Sequence, residues 1–135
     1  MSPALDGVMS FLSFLGTIEF YLLLIPFLYW VVSASLGFRV LLLLIGTDFL
    51  GICFKQLLRQ PRPYWVDRTI QHLDSAWTDF GMPSGHAMNA AALFGLVGAT
   101  VKRFWVTILT VFIFLMIGLS RIYLGVHFTV DVVFG

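Results

Sequence analysis

Long apolar segments alternate with short polar stretches along the chain, and this alternation predicts membrane-spanning helices. A spanning helix needs about 20 mostly apolar residues, because the hydrocarbon core of a bilayer is about 30 Å thick. Four segments approach that length, at residues 17–35, 38–58, 84–100 and 104–124. A fifth begins near His127 and is still too short to span when it reaches Gly135. The pattern therefore predicts an all-α, polytopic transmembrane helix bundle with four complete spans and a truncated fifth.

A different pattern precedes the first span. Within residues 3–15, apolar side chains recur at helical spacing: Leu5, Val8, Met9 and Leu12. Such one-sided spacing predicts an amphipathic helix that lies in the membrane interface. The length of 135 residues allows one domain. We therefore treat residues 1–135 as a single membrane-embedded domain whose C-terminal helix is incomplete.

Two features predict helix packing. In the third apolar segment, small residues recur at every fourth position: Ala87, Ala91, Gly95 and Ala99. A stripe of this kind lets a neighbouring helix approach closely. Cys53 lies inside an apolar run, where a free cysteine usually serves as a small buried filler.

Composition agrees with a membrane setting. The chain is 59% hydrophobic and 11% charged, whereas soluble domains carry roughly 25% charged residues. A soluble globular domain and a disordered chain are both excluded. The net charge of +1 gives no field that would select a nucleic acid. A single cysteine excludes an internal disulfide and a multi-cysteine metal site, so the lipid bilayer is the predicted partner.

The few polar residues at membrane depth converge on one face. Because successive spans alternate in direction, the second and fourth spans end where the third and fifth begin. The polar residues and the glycine near these ends are Lys55, Arg62, Ser84, Gly85, His86, Arg121, His127 and Asp131. Charges at membrane depth are costly and usually mark function. We therefore predict one polar site at this face.

The three cationic side chains of this site indicate that an anion binds between them. Lys55, Arg62 and Arg121 would repel one another, and a phosphate would neutralise them because the guanidinium fork matches its oxygens. Ser84 is a natural N-cap, and Gly85 lets the backbone come close to a ligand. The N-terminus of the third span would therefore also favour an anion.

The two histidines predict phosphoryl transfer. His127 and Asp131 are spaced i, i+4 and share a helix face, so the carboxylate would orient the ring. In the reaction that we infer, His127 attacks phosphorus, and His86 protonates the leaving oxygen and then activates water. No carboxylate cluster suits a divalent cation, so we expect no metal or other cofactor.

Three motifs then resemble a known family. Lys55–Pro63 fits KxxxxxxRP, residues 83–86 read PSGH, and Ser120–Asp131 fits SRxxxxxHxxxD. In this order they are similar to the type-2 phosphatidic acid phosphatase (lipid phosphate phosphatase) superfamily, in its integral membrane branch.

The resemblance implies a role for each matching residue. Phosphate would be bound by Lys55, Arg62, Ser84, Gly85 and Arg121. His86 would be the acid and base, His127 the nucleophile and Asp131 its partner. The family is magnesium-independent, and its integral members are typically six-helix bundles with the site at the extracytoplasmic face.

The distribution of basic residues alone does not orient the protein. Five lie on the side of the predicted site and three on the other: Lys55, Arg59, Arg62, Arg68 and Arg121 against Arg39, Lys102 and Arg103. Without the three site residues the count reverses to two against three. The resemblance implies an extracytoplasmic site, and we expect a multi-pass protein of the cell membrane.

Three functions stay open from the sequence. The first is a phosphatase for lipid phosphates or isoprenyl diphosphates, whose tails would reach the site from the bilayer. The second is a membrane phosphatase or phosphotransferase acting on a sugar phosphate. The third is a non-enzymatic transporter subunit, which explains the three spacings poorly. Nothing in the sequence sets the oligomeric state.

Several polar residues keep open roles. Asp48 is either an interior polar partner or a residue that positions Lys55, and Glu19 is expected to have a packing or interfacial role. Asp79 would contact a head group or only solvent. His72 is expected to be a solvated loop histidine.

Overall fold

The computed structural model describes residues 3–70 and 78–135, and the regular structure in these ranges is helical. The elements are α1 (Pro3–Phe14), α2 (Ile18–Phe27), a π-helical turn (Leu28–Val32), α3 (Ala34–Leu58), α4 (Pro63–Val66), α5 (Gly85–Val101), α6 (Phe104–Tyr123) and α7 (Thr129–Phe134). The prediction of an all-α fold is confirmed. His72 lies outside the described residues.

The described residues contain two helices long and apolar enough to cross a membrane. They are Ala34–Val66, in which α4 continues α3, and Phe104–Tyr123. A third span results if Leu5–Phe14 and Ile18–Val32, which meet at 53°, are counted as one broken span. Helix α5 has 17 residues, or about 26 Å, which is short of the hydrocarbon thickness. The predicted count of four complete spans is not confirmed, because the structure gives two or three.

The outer faces of the long helices are apolar and exposed. Only 22% of the most apolar window of Ala34–Val66 is buried within the protein, and 28% of that of Phe104–Tyr123. Such faces suit lipid, in which apolar side chains need no protein cover. Cys53 lies on an outward face of α3 and is exposed, so the prediction that it is a buried filler is wrong.

Helix α5 lies at the centre and packs against α3, α6 and α7. Its Leu93 joins a buried cluster with Tyr21, Val40 and Leu44. The predicted small-residue stripe holds only in part, because Ala87 is buried whereas Gly95 and Ala99 are exposed. A spacing of four residues drifts about 40° per step around a helix of 3.6 residues per turn, so the stripe turns away from its neighbour.

The close approach to α6 occurs instead at Gly98. A Cβ atom there would lie 3.0 Å from Oγ1 of Thr110. A side chain at this position would therefore require Thr110 to shift by a few tenths of an ångström.

Helix α1 packs against α6. Its residues Asp6 and Ser13 reach side chains of α6, whereas Leu5 and Val8 are exposed. The predicted helix over residues 3–15 is confirmed. Its inner face combines Asp6 and Ser13 with the partly buried Met9 and Leu12.

Candidate active site

A cavity of about 540 Å³ opens where α3 and α6 end and α5 begins. Six of the eight predicted site residues line it: Lys55, Arg62, Gly85, His86, Arg121 and His127. The other two are buried behind them, since Ser84 is 0% and Asp131 1% exposed. The backbone amide of Ser84 donates to the Asp131 carbonyl at 2.9 Å, which ties the start of α5 to α7. The structure therefore brings all eight residues together.

His127 lies in the turn between α6 and α7, so the prediction that it shares a helix face with Asp131 is wrong. Asp131 nevertheless lies behind the ring, because the turn brings the two side chains together. Oδ2 of Asp131 lies 3.4 Å from Nδ1 of His127, which is long for a hydrogen bond, and accepts from the Phe128 amide at 2.9 Å. The carboxylate is thus fixed to the first turn of α7, where the helix dipole also favours it. The other ring nitrogen, Nε2, lies 3.4 Å from Nη1 of Arg62.

The surroundings keep the His127 imidazole neutral. Burial lowers the pKa of His127 to about 4; Arg62 and Arg121 act in the same direction, and Asp131 opposes them. A neutral ring with its proton on Nδ1, facing the carboxylate, leaves the Nε2 lone pair available. That arrangement is the one a nucleophilic histidine needs.

Arg62 is buried and held by three acceptors. Its Nε donates to the Asp79 carbonyl at 2.8 Å, and its Nη2 donates to Oδ1 of Asp79 at 2.6 Å. Its Nη1 donates to the Val126 carbonyl at 3.2 Å. These bonds fix the guanidinium beside His127, where it can contact an anion that approaches that ring.

Asp79, which was expected to contact a head group or only solvent, is instead paired with two of the predicted phosphate-binding residues. Besides Arg62, it accepts a hydrogen bond from Nζ of Lys55. Burial acts to raise the pKa of Asp79, but the ion pairs with Lys55 and Arg62 outweigh it and hold this pKa below its usual range. The Asp79 carboxylate is thus an internal anion between two of the cations. The excess of cations at this face was the signal that could have pointed to it.

Arg121 depends on the N-terminal helix. It lies near the end of α6, is buried, and donates from Nη1 to the hydroxyl of Ser13. Two residues further on, the Tyr123 hydroxyl donates to Oδ1 of Asp6 at 2.7 Å. Helix α1 therefore helps to place a predicted phosphate ligand, a role that its sequence did not indicate.

The start of α5 offers an open backbone. Ser84 is the N-cap, and its hydroxyl accepts from the Ala87 amide at 3.5 Å, a long contact. Nothing lies within 4 Å of a Cβ built on Gly85. Free space in front of a helix N-terminus suits an anionic ligand.

Two other glycines bring loops close to the site. A Cβ on Gly81 would lie 3.1 Å from Oδ2 of Asp131, and one on Gly16 would lie 3.1 Å from Cδ2 of His86. A side chain at either glycine would require Asp131 or His86 to shift by a few tenths of an ångström. Neither glycine lies within the three motifs, so the sequence did not indicate their proximity to the site.

The cavity also has a deeper polar part that contains Glu19, Thr47, Asp48 and Asn89. Nδ2 of Asn89 donates to Oδ1 of Asp48 at 2.7 Å. Of the two roles left open for Asp48, this pairing favours the interior polar partner, since Lys55 is paired with Asp79. Glu19 lines the cavity rather than only an interface.

The fold and cavity define a class: an all-helical protein with membrane-length helices and a cationic cavity suited to a phosphate group. The PAP2 superfamily profile matches residues 35–135. The chain belongs to this superfamily, which confirms the resemblance to the type-2 phosphatidic acid phosphatases, and it is an integral membrane protein.

Individual relatives support this assignment. The chain is 30% identical to lipid phosphate phosphatase delta of Arabidopsis thaliana, over 97% of this chain and 35% of that one. It is 30% identical to sphingosine-1-phosphate phosphatase 1 of Rattus norvegicus, over 90% of this chain and 29% of that one. It thus spans about a third of these relatives.

A solved structure shows the same fold. The crystal structure of a transmembrane PAP2-type phosphatidylglycerolphosphate phosphatase from Bacillus subtilis superposes with a TM-score of 0.81 at 30% identity. The match covers 98% of this chain and 69% of that one.

Proposed function

We propose that this protein is a metal-independent membrane phosphatase that hydrolyses lipid phosphates through a phosphohistidine intermediate. One observation carries the proposal: Nε2 of His127 faces a cationic cavity while Nδ1 faces a buried carboxylate. The names of the three relatives support the substrate class, since each is a phosphatase named for a phosphorylated lipid.

In the first step, Nε2 of His127 attacks phosphorus and the bond to the leaving oxygen breaks. Lys55, Arg62 and Arg121 stabilise the charge on the equatorial oxygens, together with the amides at the start of α5. His86 gives its proton to the leaving oxygen, which departs as an alcohol. Asp131 stabilises the imidazolium, which keeps its proton on Nδ1.

In the second step, His86 removes a proton from water and the resulting hydroxide attacks phosphorus. The bond between phosphorus and Nε2 breaks, and inorganic phosphate leaves. His127 returns to its neutral form and His86 again carries its proton. Atoms and charges balance over the cycle without a metal ion.

The setting of the site completes the proposal. A lipid tail would enter from the bilayer between the apolar faces of the helices, while its phosphate occupies the cavity. We place the protein in the cell membrane, with the cavity at the extracytoplasmic face, four complete spans and a fifth that begins with α7.

The test is phosphate release by the protein in membranes, on a panel of phosphatidic acid, phosphatidylglycerol phosphate, undecaprenyl diphosphate and glucose 6-phosphate. We expect release from the lipid substrates in the presence of EDTA. A requirement for a divalent cation would contradict the metal-independent mechanism. Preference for glucose 6-phosphate would favour the sugar-phosphate alternative, and transport without hydrolysis the transporter alternative.

Two variants test the intermediate. His127→Ala should lower kcat by at least about a thousandfold, the size of effect typical for removal of a nucleophile. His86→Ala should accumulate phosphoenzyme with p-nitrophenyl phosphate, because this leaving group needs no proton whereas the attacking water still needs a base. The double variant should trap no phosphate. Full activity in His127→Ala would contradict the nucleophile assignment.

A further inference from the structure

The deeper part of the cavity carries negative charge. The carboxylates of Glu19 and Asp48 line it, and within the described residues neither forms an ion pair. A carboxylate at membrane depth is costly unless a partner compensates it. The mechanism proposed above uses neither of them.

Asn89 shows that this part of the cavity offers hydrogen-bond acceptors. Its side chain lines the cavity and the residue is only 7% exposed. Its Nδ2 is used by Asp48, whereas its Oδ1 is buried with no hydrogen-bond partner among the described residues. An unsatisfied buried acceptor costs about 1–3 kcal/mol, so a donor from a ligand would be favoured there.

Helical geometry relates these acceptors to the reacting groups. Asn89 follows His86 by three residues on α5, so it lies about 4.5 Å deeper on nearly the same face. Asp48 precedes Lys55 by seven residues on α3, about 10 Å deeper. The acceptors therefore lie beyond His86, on the side where the leaving alcohol must extend away from phosphorus.

We propose that Asp48 and Asn89, assisted by Glu19, bind a protonated amine that the leaving alcohol carries close to its phosphoester. This rests on the proposed function and names its substrate class. A primary ammonium has three N–H donors and a positive charge. It therefore matches a carboxylate, a free amide oxygen and a second carboxylate better than a neutral hydroxyl does.

The charges along the cavity match such a substrate. Lys55, Arg62 and Arg121 lie at the phosphate end, and Glu19 and Asp48 lie at the deep end. A zwitterion with phosphate and ammonium a few bonds apart would meet opposite charge at both ends. An isoprenyl diphosphate or phosphatidic acid offers no cation to the deep end.

The test compares sphingosine 1-phosphate, whose amine is a charged ammonium, with its N-acetyl derivative, in which that nitrogen is a neutral and bulkier amide; the Asp48 variant separates the loss of charge from the added bulk. We expect the wild-type protein to favour the free amine by about tenfold in kcat/KM, the effect of one charge-assisted hydrogen bond. Asp48→Asn should remove most of this preference, and Asn89→Leu should reduce it. Asp67→Asn is the matched control, because Asp67 lies in an exposed loop outside the cavity, and it should keep the preference.

A second readout separates this inference from the proposed function. Sphingosine itself, without phosphate, should raise the Tm of the wild-type protein more than that of Asp48→Asn. If no lipid phosphate is hydrolysed, the proposed function fails, and this shift still decides on the amine site. Equal kcat/KM values for both substrates, or a preference and a Tm shift that survive in Asp48→Asn, would overturn the amine site.

Discussion

The imidazole of His127 illustrates how neighbouring residues set the chemistry of a side chain. It is 4% exposed, with a carboxylate on one side and guanidinium groups on the other. The carboxylate orients the ring, while burial and the cations keep it neutral. Arg62 in turn is held by Asp79 and by a backbone carbonyl. The reactivity of one nitrogen thus depends on Arg62 and Asp79, which lie far from His127 along the chain, as well as on the nearby Asp131.

The neutral state of His127 predicts a pH dependence of stability. An unfolded chain takes up this proton near pH 6.5, whereas the pKa of His127 in the folded protein is about 4. The unfolded state thus binds more protons between these values, and the free energy of unfolding falls as the pH is lowered from 6.5 to 4. Tm measured across this range should fall less steeply in His127→Gln. Parallel curves for the two proteins would contradict the lowered pKa.

The Asp79 carboxylate should compete with phosphate for Lys55 and Arg62. Its carboxylate occupies the space between Lys55 and Arg62, where a substrate oxygen would bind. In Asp79→Asn, the inhibition constant of inorganic phosphate should fall roughly two- to fivefold, since a partly exposed ion pair is worth up to about 1 kcal/mol. Asp67→Asn serves as the control. A higher constant in Asp79→Asn would mean that Asp79 chiefly positions the cations.

At the scale of elements, helix ends determine the site. α3 and α6 bring their C-terminal ends to the place where α5 and α7 begin, because consecutive helices reverse direction. The three motifs lie at these helix ends and therefore meet, although 76 positions separate Lys55 from Asp131. Helix α1 adds an element outside all three motifs by packing its polar residues against α6.

The contact between α1 and α6 gives a testable prediction. Ser13→Ala removes the hydroxyl that accepts from Arg121, so the guanidinium loses one of its restraints. We expect kcat/KM for lipid phosphate to fall about tenfold, as for a hydrogen bond to a charged group. Ser10→Ala is the matched control, since Ser10 is exposed on the same helix. Similar losses of kcat/KM in both variants would mean that the substitutions disturb helix α1 as a whole and not the contact with Arg121.

At the scale of the whole molecule, apolar faces point outward and polar groups point inward. The long helices leave most of their apolar surface uncovered, while the cavity gathers charges at one end of the bundle. This arrangement would give the proposed lipid substrate two environments, one for its tail and one for its head group. It also divides the loops between two sides of the membrane.

Because the loops lie on two sides of the membrane, a reagent that cannot cross it should label the loops on one side only. In a Cys53→Ser background, a cysteine at Arg68 lies on the cavity side, and one at Lys102 lies at the opposite end of α5. With the cavity at the extracytoplasmic face, a membrane-impermeant maleimide should label Arg68→Cys in intact cells and Lys102→Cys only after lysis. The reverse result would place the cavity in the cytoplasm.

The sequence by itself determined the helical fold, and its three motifs indicated the family. Apolar segments and reversals of direction also predicted that the eight candidate residues share one face, because they fix which helix ends lie together whatever the details of packing. The prediction that His127 and Asp131 share a helix face is wrong, because His127 precedes α7 and meets Asp131 through the turn before that helix.

Only the tertiary structure decided the other partners. Asp79 with Lys55, Ser13 with Arg121 and Asn89 with Asp48 are pairs separated by 24, 108 and 41 positions. Whether such residues meet depends on how each helix is rotated about its axis. Helix α3 is apolar on nearly every side, so the hydrophobic pattern gives it no preferred face. Its rotation, and with it the deep end of the cavity, is set by packing against α2 and α5.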